Sequence, residues 1–262
     1  MIETFLNKIV TKTRERVERT RSLGYAAAIE RRARRVRASK EANRFRVALS
    51  HSGRTNIIAE IKRASPSKGV INADIDVAKV AGNYAAGGAA AISVLTESEY
   101  FSGEIADLVL AAKTVDIPVL RKDFMVDSYQ IYEAAAAGAD AILLIVAALS
   151  ETELREFSAI ADGLGLDSLV EIHTADELET ARKIDAKIIG VNNRNLQTLE
   201  VSLDVSRELI GLRPEGVLMI SESGLSTKDE IDELKELGFN GFLIGETLMR
   251  TGNASETLGA WV

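Results

Sequence analysis

The sequence predicts an α/β protein, a single (β/α)8 TIM barrel preceded by an N-terminal helical extension, and three observations carry that reading. Eight short apolar runs recur from Asn56 onward. Several are free of polar residues, as strands buried on both faces are. Helical segments with readable ends lie between them. The stretches AAGGAAAISVL (85–95), AAGADAILLI (136–145) and ELGFNGFLIG (236–245) form a weak repeat of helix end, glycine turn and buried strand. Eight such units close most economically into a barrel. A doubly wound open sheet is the alternative, but no G-x-G-x-x-G turn follows the first strand. A chain of 262 residues fits one domain of this kind, so 1–262 is read as one unit with 1–50 as its extension.

Taken in order, the extension comes first. Residues 1–55 hold 15 Lys and Arg against 5 acids, a net +10, which leaves 17 basic and 34 acidic residues, a net −17, in the rest. A basic arm of this kind suits nucleic acid or a transit peptide. Interspersed glutamates and the apolar Leu6, Ile9, Val17, Tyr25 and Ile29 point instead to ordinary amphipathic helices lying on their own acidic body.

The first strand, Ile57–Ile61, brings Glu60 and Lys62 to one face and runs into the loop from Arg63 to Gly69. The second, Ala90–Leu95, and the fourth, Ala141–Val146, carry no charged residue. The third, Pro118–Leu120, ends in Arg121, Lys122 and Asp123, and the fifth, Ser168–Ile172, in Glu171 and His173. The sixth, Lys187–Val191, leads to Asn192, Asn193 and Arg194, and the seventh, Val217–Ile220, to Ser221, Glu222, Ser223 and Gly224. The eighth, Gly241–Ile244, leads to Gly245 and Glu246. Between strands, Ser150 with Glu153, Thr174 with Glu177 and Ser226 with Asp229 have capping-box spacing, and Gly87, Gly138 and Gly238 mark helix ends.

Composition narrows the chemistry. Cysteine is absent, which excludes a thiol nucleophile, a disulfide framework and a cysteine metal site. Two histidines, His51 and His173, leave little for a zinc or iron centre, so no metal is expected. No apolar run reaches a membrane span and Met1 is not followed by a signal-peptide core, so a cytoplasmic protein is expected.

In a barrel of this type, function gathers at the C-terminal ends of the strands. Two lysines, an arginine and three carboxylates converging there can shift one another's protonation and supply acid and base together. A structural salt-bridge network is the plain alternative. Ser223–Gly224 and Gly245–Glu246 follow the seventh and eighth strands, where barrels commonly hold a phosphate on backbone N–H groups. A phosphorylated substrate is therefore expected.

IIAEIKRASPSKG (57–69) closely resembles the signature of indole-3-glycerol phosphate synthases. The likeness continues through VLTESEYFSG (94–103), PVLRKDF (118–124), LLIV (143–146), LVEIH (169–173), IGVNNRNL (189–196), ISESGL (220–225) and FLIGETLM (242–249). It implies a helical extension over the barrel mouth and a cofactor-free closure of 1-(2-carboxyphenylamino)-1-deoxyribulose 5-phosphate into indole-3-glycerol phosphate. It also implies roles. Lys122 matches the general acid, Glu171 the base of the dehydration, and Glu60 a supporting carboxylate. Lys62 matches a contact to substrate anionic groups, with Ser65 and Pro66 in a mobile first loop and Phe124 at the substrate. Asn192, Arg194 and Glu222 match positions that orient the sugar, the anthranilate part and the catalytic groups. Ser223, Gly224, Gly245 and Glu246 would hold the phosphate through backbone N–H groups, with the Glu246 carboxylate turned away.

His173 is read as a hydrogen-bonding neighbour of Glu171, Asp123 as structural and Trp261 as helix packing. A related phosphate-binding barrel such as phosphoribosylanthranilate isomerase is the enzymatic alternative. A nucleic-acid-binding protein using the basic arm is the non-enzymatic one. Neither nucleic acid nor membrane is expected as a partner, and a monomer or weak homo-oligomer is expected.

Overall fold

The computed structural model describes residues 4–196 and 198–262, so Met1 and the absence of a signal-peptide core after it lie outside the described residues. Eight parallel strands close into a barrel: β1 (Ile57–Ile61), β2 (Ala91–Leu95), β3 (Val119–Lys122), β4 (Ala141–Ile145), β5 (Asp167–Ile172), β6 (Ile188–Asn192), β7 (Leu218–Glu222) and β8 (Gly241–Ile244). β8 pairs back onto β1, with Ile57 opposite Phe242 and Ala59 opposite Ile244.

The extension forms α1 (Phe5–Ser22), α2 (Ala26–Arg37) and α3 (Arg44–Leu49). Around the barrel run α4 (Val77–Ala86), α5 (Ile105–Thr114), α6 (Ser128–Ala137) and α7 (Glu151–Gly163). They are followed by α8 (Ala175–Lys183), α9 (Asp204–Ile210), α10 (Lys228–Leu237), α11 (Glu246–Arg250) and α12 (Ala254–Trp261). No helix among the described residues is long and apolar enough to cross a membrane.

Strand alternation divides the core in two. Ile57, Ala59, Val119, Ile142, Val170, Ile189 and Phe242 face outward and pack with the helices. Ile58, Leu120, Leu143, Leu169, Ile188, Ile220 and Leu243 fill the interior. The same parity that turns Ile58, Leu120, Leu169 and Ile220 inward also turns inward Glu60, Lys122, Glu171 and Glu222, two residues further on. An apolar floor thus carries a charged layer toward the mouth.

The resemblance implies a cover over the mouth; among the described residues of the extension, from Thr4 onward, α1 reaches the mouth through Phe5, Leu6 and Ile9. α2 packs along α6, and α3 seats the fully buried Phe45 and Leu49 in the interior cluster, closing the opposite end. Part of the arm's positive charge is paired with the body. Arg37, Lys40 and Arg44 converge on the buried Asp140 at 3.1–3.2 Å, Arg14 pairs with Glu153 and Arg21 with Asp127. The fully buried Arg37 guanidinium also donates to the carbonyls of Ala139, Leu164 and Gly165, so no donor is stranded.

Helix ends match the sequence in part. Ser150 and Glu153 make the reciprocal capping box on α7. On α10 the box is made by Thr227 with Glu230, not Ser226 with Asp229, and Ser226 donates its N–H and hydroxyl to the Glu230 carboxylate. Thr174 accepts from the Glu177 N–H, but the Glu177 carboxylate turns to the backbone of His173, so the box stays half-made. Gly138 and Gly238 end their helices with positive φ, whereas Gly87 sits at −76° and Gly88 takes the left-handed turn at 90°. Trp261 packs, half-buried, against the outer core.

Candidate active site

Twelve of the thirteen residues assigned to the site from the sequence line one cavity at the C-terminal ends of the strands: Glu60, Lys62, Ser65, Lys122, Phe124, Glu171, Asn192, Arg194, Ser223, Gly224, Gly245 and Glu246. The thirteenth, Glu222, does not reach the cavity wall. It lies buried beside Lys122, with its Oε2 3.3 Å from Lys122 Nζ.

Lys122 is the centre of the charged layer. Its ammonium stands 3.3 Å from Glu171 Oε2 and 3.3 Å from Glu222 Oε2. Burial alone would lower its proton affinity, but Glu222, Glu171 and Glu60 together hold it well above the usual lysine range. Glu60 pairs with Lys62 at 2.6 Å. Burial pushes the Glu60 carboxyl up, and the cations of Lys62 and Lys122 outweigh that and hold it low. Glu171 is likewise held low against its burial by Lys122, His173 and a hydrogen bond from Asn192. Glu222 goes the other way. Burial, with Glu171 and Glu60 nearby, outweighs Lys122 and pushes its carboxyl up to about 8. Glu222 is thus the carboxyl of the layer that gives up its proton last, beside a lysine whose other neighbours are held as carboxylates.

The walls are apolar where the floor is. Leu95, Phe101, Phe124, Leu143, Ile145 and Leu243 surround the charged centre, with the Phe101 and Phe124 rings 6.4 Å apart. The loop after β1 folds into a small ribbon, Ala64–Ser65 against Gly69–Val70, tied down by Arg63 to Asp107 at 2.7 Å. Arg194 is placed by its N–H on Asn192 Oδ1 and its guanidinium on the Leu199 carbonyl.

At the far side, Ser223 and Gly224 both have positive φ, 67° and 83°. A side chain at Gly224 would meet Val201 at 2.6 Å. Gly245 caps α11, and the Glu246 carboxylate engages Arg250 at 3.3 Å and Lys68 at 3.6 Å. The sequence assigned Gly245 to the phosphate alone. In the fold a Cβ there would strike the Glu60 carboxylate and come within 3.0 Å of Lys62 Nζ.

Sequence reasoning missed two features. A Cβ at Gly190, inside β6, would run into Glu222 Oε1, so this glycine makes the room in which the Glu222 carboxylate lies. A glycine in a strand interior was the available signal. The second is the contribution of α1. Asp123 faces away from the axis and is fully buried, accepting from Thr96 Oγ1 (2.7 Å), Arg121 (3.1 Å) and Arg16 of α1 (3.2 Å). One peptide bond from Lys122, it fastens the helix whose Phe5, Leu6 and Ile9 wall the cavity. Arg16→Met should loosen that wall and raise KM several-fold with kcat little changed, since Arg121 and Thr96 still hold Asp123. Steady-state kinetics check this; a lowered kcat at constant KM would contradict it.

A family model described as indole-3-glycerol phosphate synthase matches residues 6–260. A curated protein of that name from Endomicrobium trichonymphae is 49% identical over 253 residues, 97% of each chain. One from Lachnoclostridium phytofermentans is 53% identical over 209 residues, 80% of this chain and 77% of its own. Among solved structures, KGPDC from Streptococcus mutans superposes with a TM-score of 0.62 at 13% identity, covering 79% of this chain and 95% of its own. A thiamine phosphate pyrophosphorylase from Pyrococcus furiosus does so at 0.59 and 16%, covering 79% and 93%. These structures share the fold alone.

Proposed function

The chain belongs to the indole-3-glycerol phosphate synthase family, and we propose that Lys122, Glu171 and Glu60 carry its reaction. The activity is that of a carboxy-lyase of tryptophan biosynthesis. It closes 1-(2-carboxyphenylamino)-1-deoxyribulose 5-phosphate into indole-3-glycerol phosphate with loss of CO2 and water.

The observation that carries the assignment is the position of Lys122 Nζ, 3.3 Å from each of two carboxylates on a layer that faces the cavity. A cation placed there can give its proton to the substrate carbonyl oxygen as the ring carbon attacks. Decarboxylation then restores the aromatic ring. The new hydroxyl must leave as water while a proton comes off the adjacent methylene carbon. Glu171, held as a carboxylate and facing the cavity, takes that proton. Glu60 is fixed by Lys62 and accepts from substrate hydroxyls, and Lys62 offers its remaining N–H donors to substrate anionic groups.

Asn192 and Arg194 orient the sugar and the anthranilate carboxylate. Glu222 acts from beneath, on Lys122 and not on the substrate. The aromatic wall of Phe101 and Phe124 suits the anthranilate ring. Backbone N–H groups of Ser223, Gly224, Gly245 and Glu246 hold the phosphate. Incubation with the carboxyphenylamino substrate should give indole absorbance and fluorescence at a rate proportional to enzyme. A folded protein that produces no indole would overturn the reading.

A further inference from the structure

The reaction consumes a proton. One oxygen is protonated twice, first as the carbonyl and then as the departing hydroxyl, against one C–H deprotonation, and the carboxylate leaves as neutral CO2. One proton per turnover must come from solvent. It is needed at Lys122 after that lysine has protonated the carbonyl, while the ring-closed intermediate still covers the catalytic cavity.

A second cavity adjoins the first, and Leu6, Asn192 and Leu196 line both. Its rim carries the exposed Asn7, Asn195 and Glu200, and its inner side carries His173 and Glu177. His173 stands between the two cavities. Its Nδ1 is 3.3 Å from Glu177 Oε2, and its Nε2 is 3.6 Å from Glu171 Oε1. That Nε2 is buried and makes no hydrogen bond. The other oxygen of Glu171 is 3.3 Å from Lys122 Nζ.

We infer that His173 is the proton inlet of the active site, taking protons from the second cavity and passing them through Glu171 to Lys122. The inference rests on the roles proposed for Lys122 and Glu171. The imidazolium releases its Nε2 proton to the Glu171 carboxylate. The neutral ring, which keeps its Nδ1 proton, then rotates to present the bared Nε2 to water in the second cavity and is reprotonated there. Glu171 passes the proton to the neutral Lys122 amine and becomes a carboxylate again. Lys122 then protonates the departing hydroxyl while Glu171 takes the C–H proton. Return of that proton from Glu171 to Lys122 restores the starting state, with one solvent proton consumed.

The charges around His173 favour this use. Burial lowers its proton affinity, but Glu177 on α8 and Glu171 on β5, with Glu222 on β7 acting through space, hold it above the usual histidine value. Glu200 is the acid on the cavity rim, and among the described residues the start of the extension contributes the uncharged Thr4, Leu6 and Asn7 there.

The test uses the full chain with His173→Gln and His173→Ala. Both should lower kcat by about 10-fold or more and leave KM within about twofold, with the deficit growing as pH rises from about 6 to 9 and free protons become scarce. Imidazole added to His173→Ala should restore kcat in proportion to its protonated fraction. A kcat within twofold of wild type across that range would overturn the inlet. So would a loss that is flat with pH and untouched by imidazole, which would leave His173 merely steadying Glu171. If His173→Ala fails to fold, the pH profile of His173→Gln decides by the same criterion. Failure of the wild type to form indole would instead sink the assignment of the reaction, so the two failures are distinct.

Discussion

Lys122→Met is expected to lower kcat by at least about 100-fold, the lower end of what a positioned general acid contributes. Methionine matches much of the lysine stem and removes only the ammonium, so the apolar floor of Ile58, Leu120 and Leu169 stays filled. The loss should therefore fall on turnover more than on substrate binding. A second signature accompanies it. The ammonium holds Glu60 and Glu171 low against their burial, and without it both carboxyls rise. A carboxyl whose folded value lies above its unfolded one binds more protons in the native state over that interval. Stability is then present at low pH and lost as pH climbs through the raised value. The variant should unfold at a lower denaturant concentration at alkaline than at mildly acidic pH, by a wider margin than wild type. Near wild-type turnover in a folded Lys122→Met protein would remove Lys122 from the role of acid.

Gly245→Val should cost a comparable factor, and by a route that the sequence did not suggest. If this glycine served only the phosphate, bound alike in ground and transition states, the damage would appear in KM alone. The collision of a Cβ with the Glu60 carboxylate, and its 3.0 Å approach to Lys62 Nζ, adds a second effect. The branched side chain must push Glu60 off its 2.6 Å pair with Lys62. Misplacement of a group at the reacting centre by about 1 Å can cost about 100-fold. The expected result is a fall of that order in kcat, with a raised KM and weaker competition by inorganic phosphate. Glu246→Ser, whose lost carboxylate engages Lys68 and Arg250 and whose N–H remains, should stay within a few-fold of wild type. A change confined to KM in Gly245→Val would show that Glu60 moves aside without consequence.

The barrel and the residues of its mouth were legible because both follow from local pattern. Apolar runs such as Ala141–Ile145 are strands on any reading, and polar residues just past them have the barrel mouth as their place. What escaped was set by contacts between distant elements. Gly190 looks like any small strand residue until β7 lays Glu222 beside it. Phe45 and Leu49 read as one face of a short helix, and nothing nearby in sequence says that they close the barrel base. The basic arm was correctly given an acidic body to lie on, but its route along the side and under the barrel depends on Asp140, about a hundred residues away.

That separation bears on how the chain is made. The arm is synthesised well before its anchors Asp140 and Asp167. At about 5–20 residues per second, the ribosome takes on the order of 10 s to add them. Throughout that interval a strongly cationic segment waits without its carboxylates, its apolar faces uncovered. Docking of α2 and α3 therefore waits until β4 and β5 have been made. A nascent chain stalled before Asp140 should expose an arm that proteases cut readily, and one extended past Asp167 should protect it.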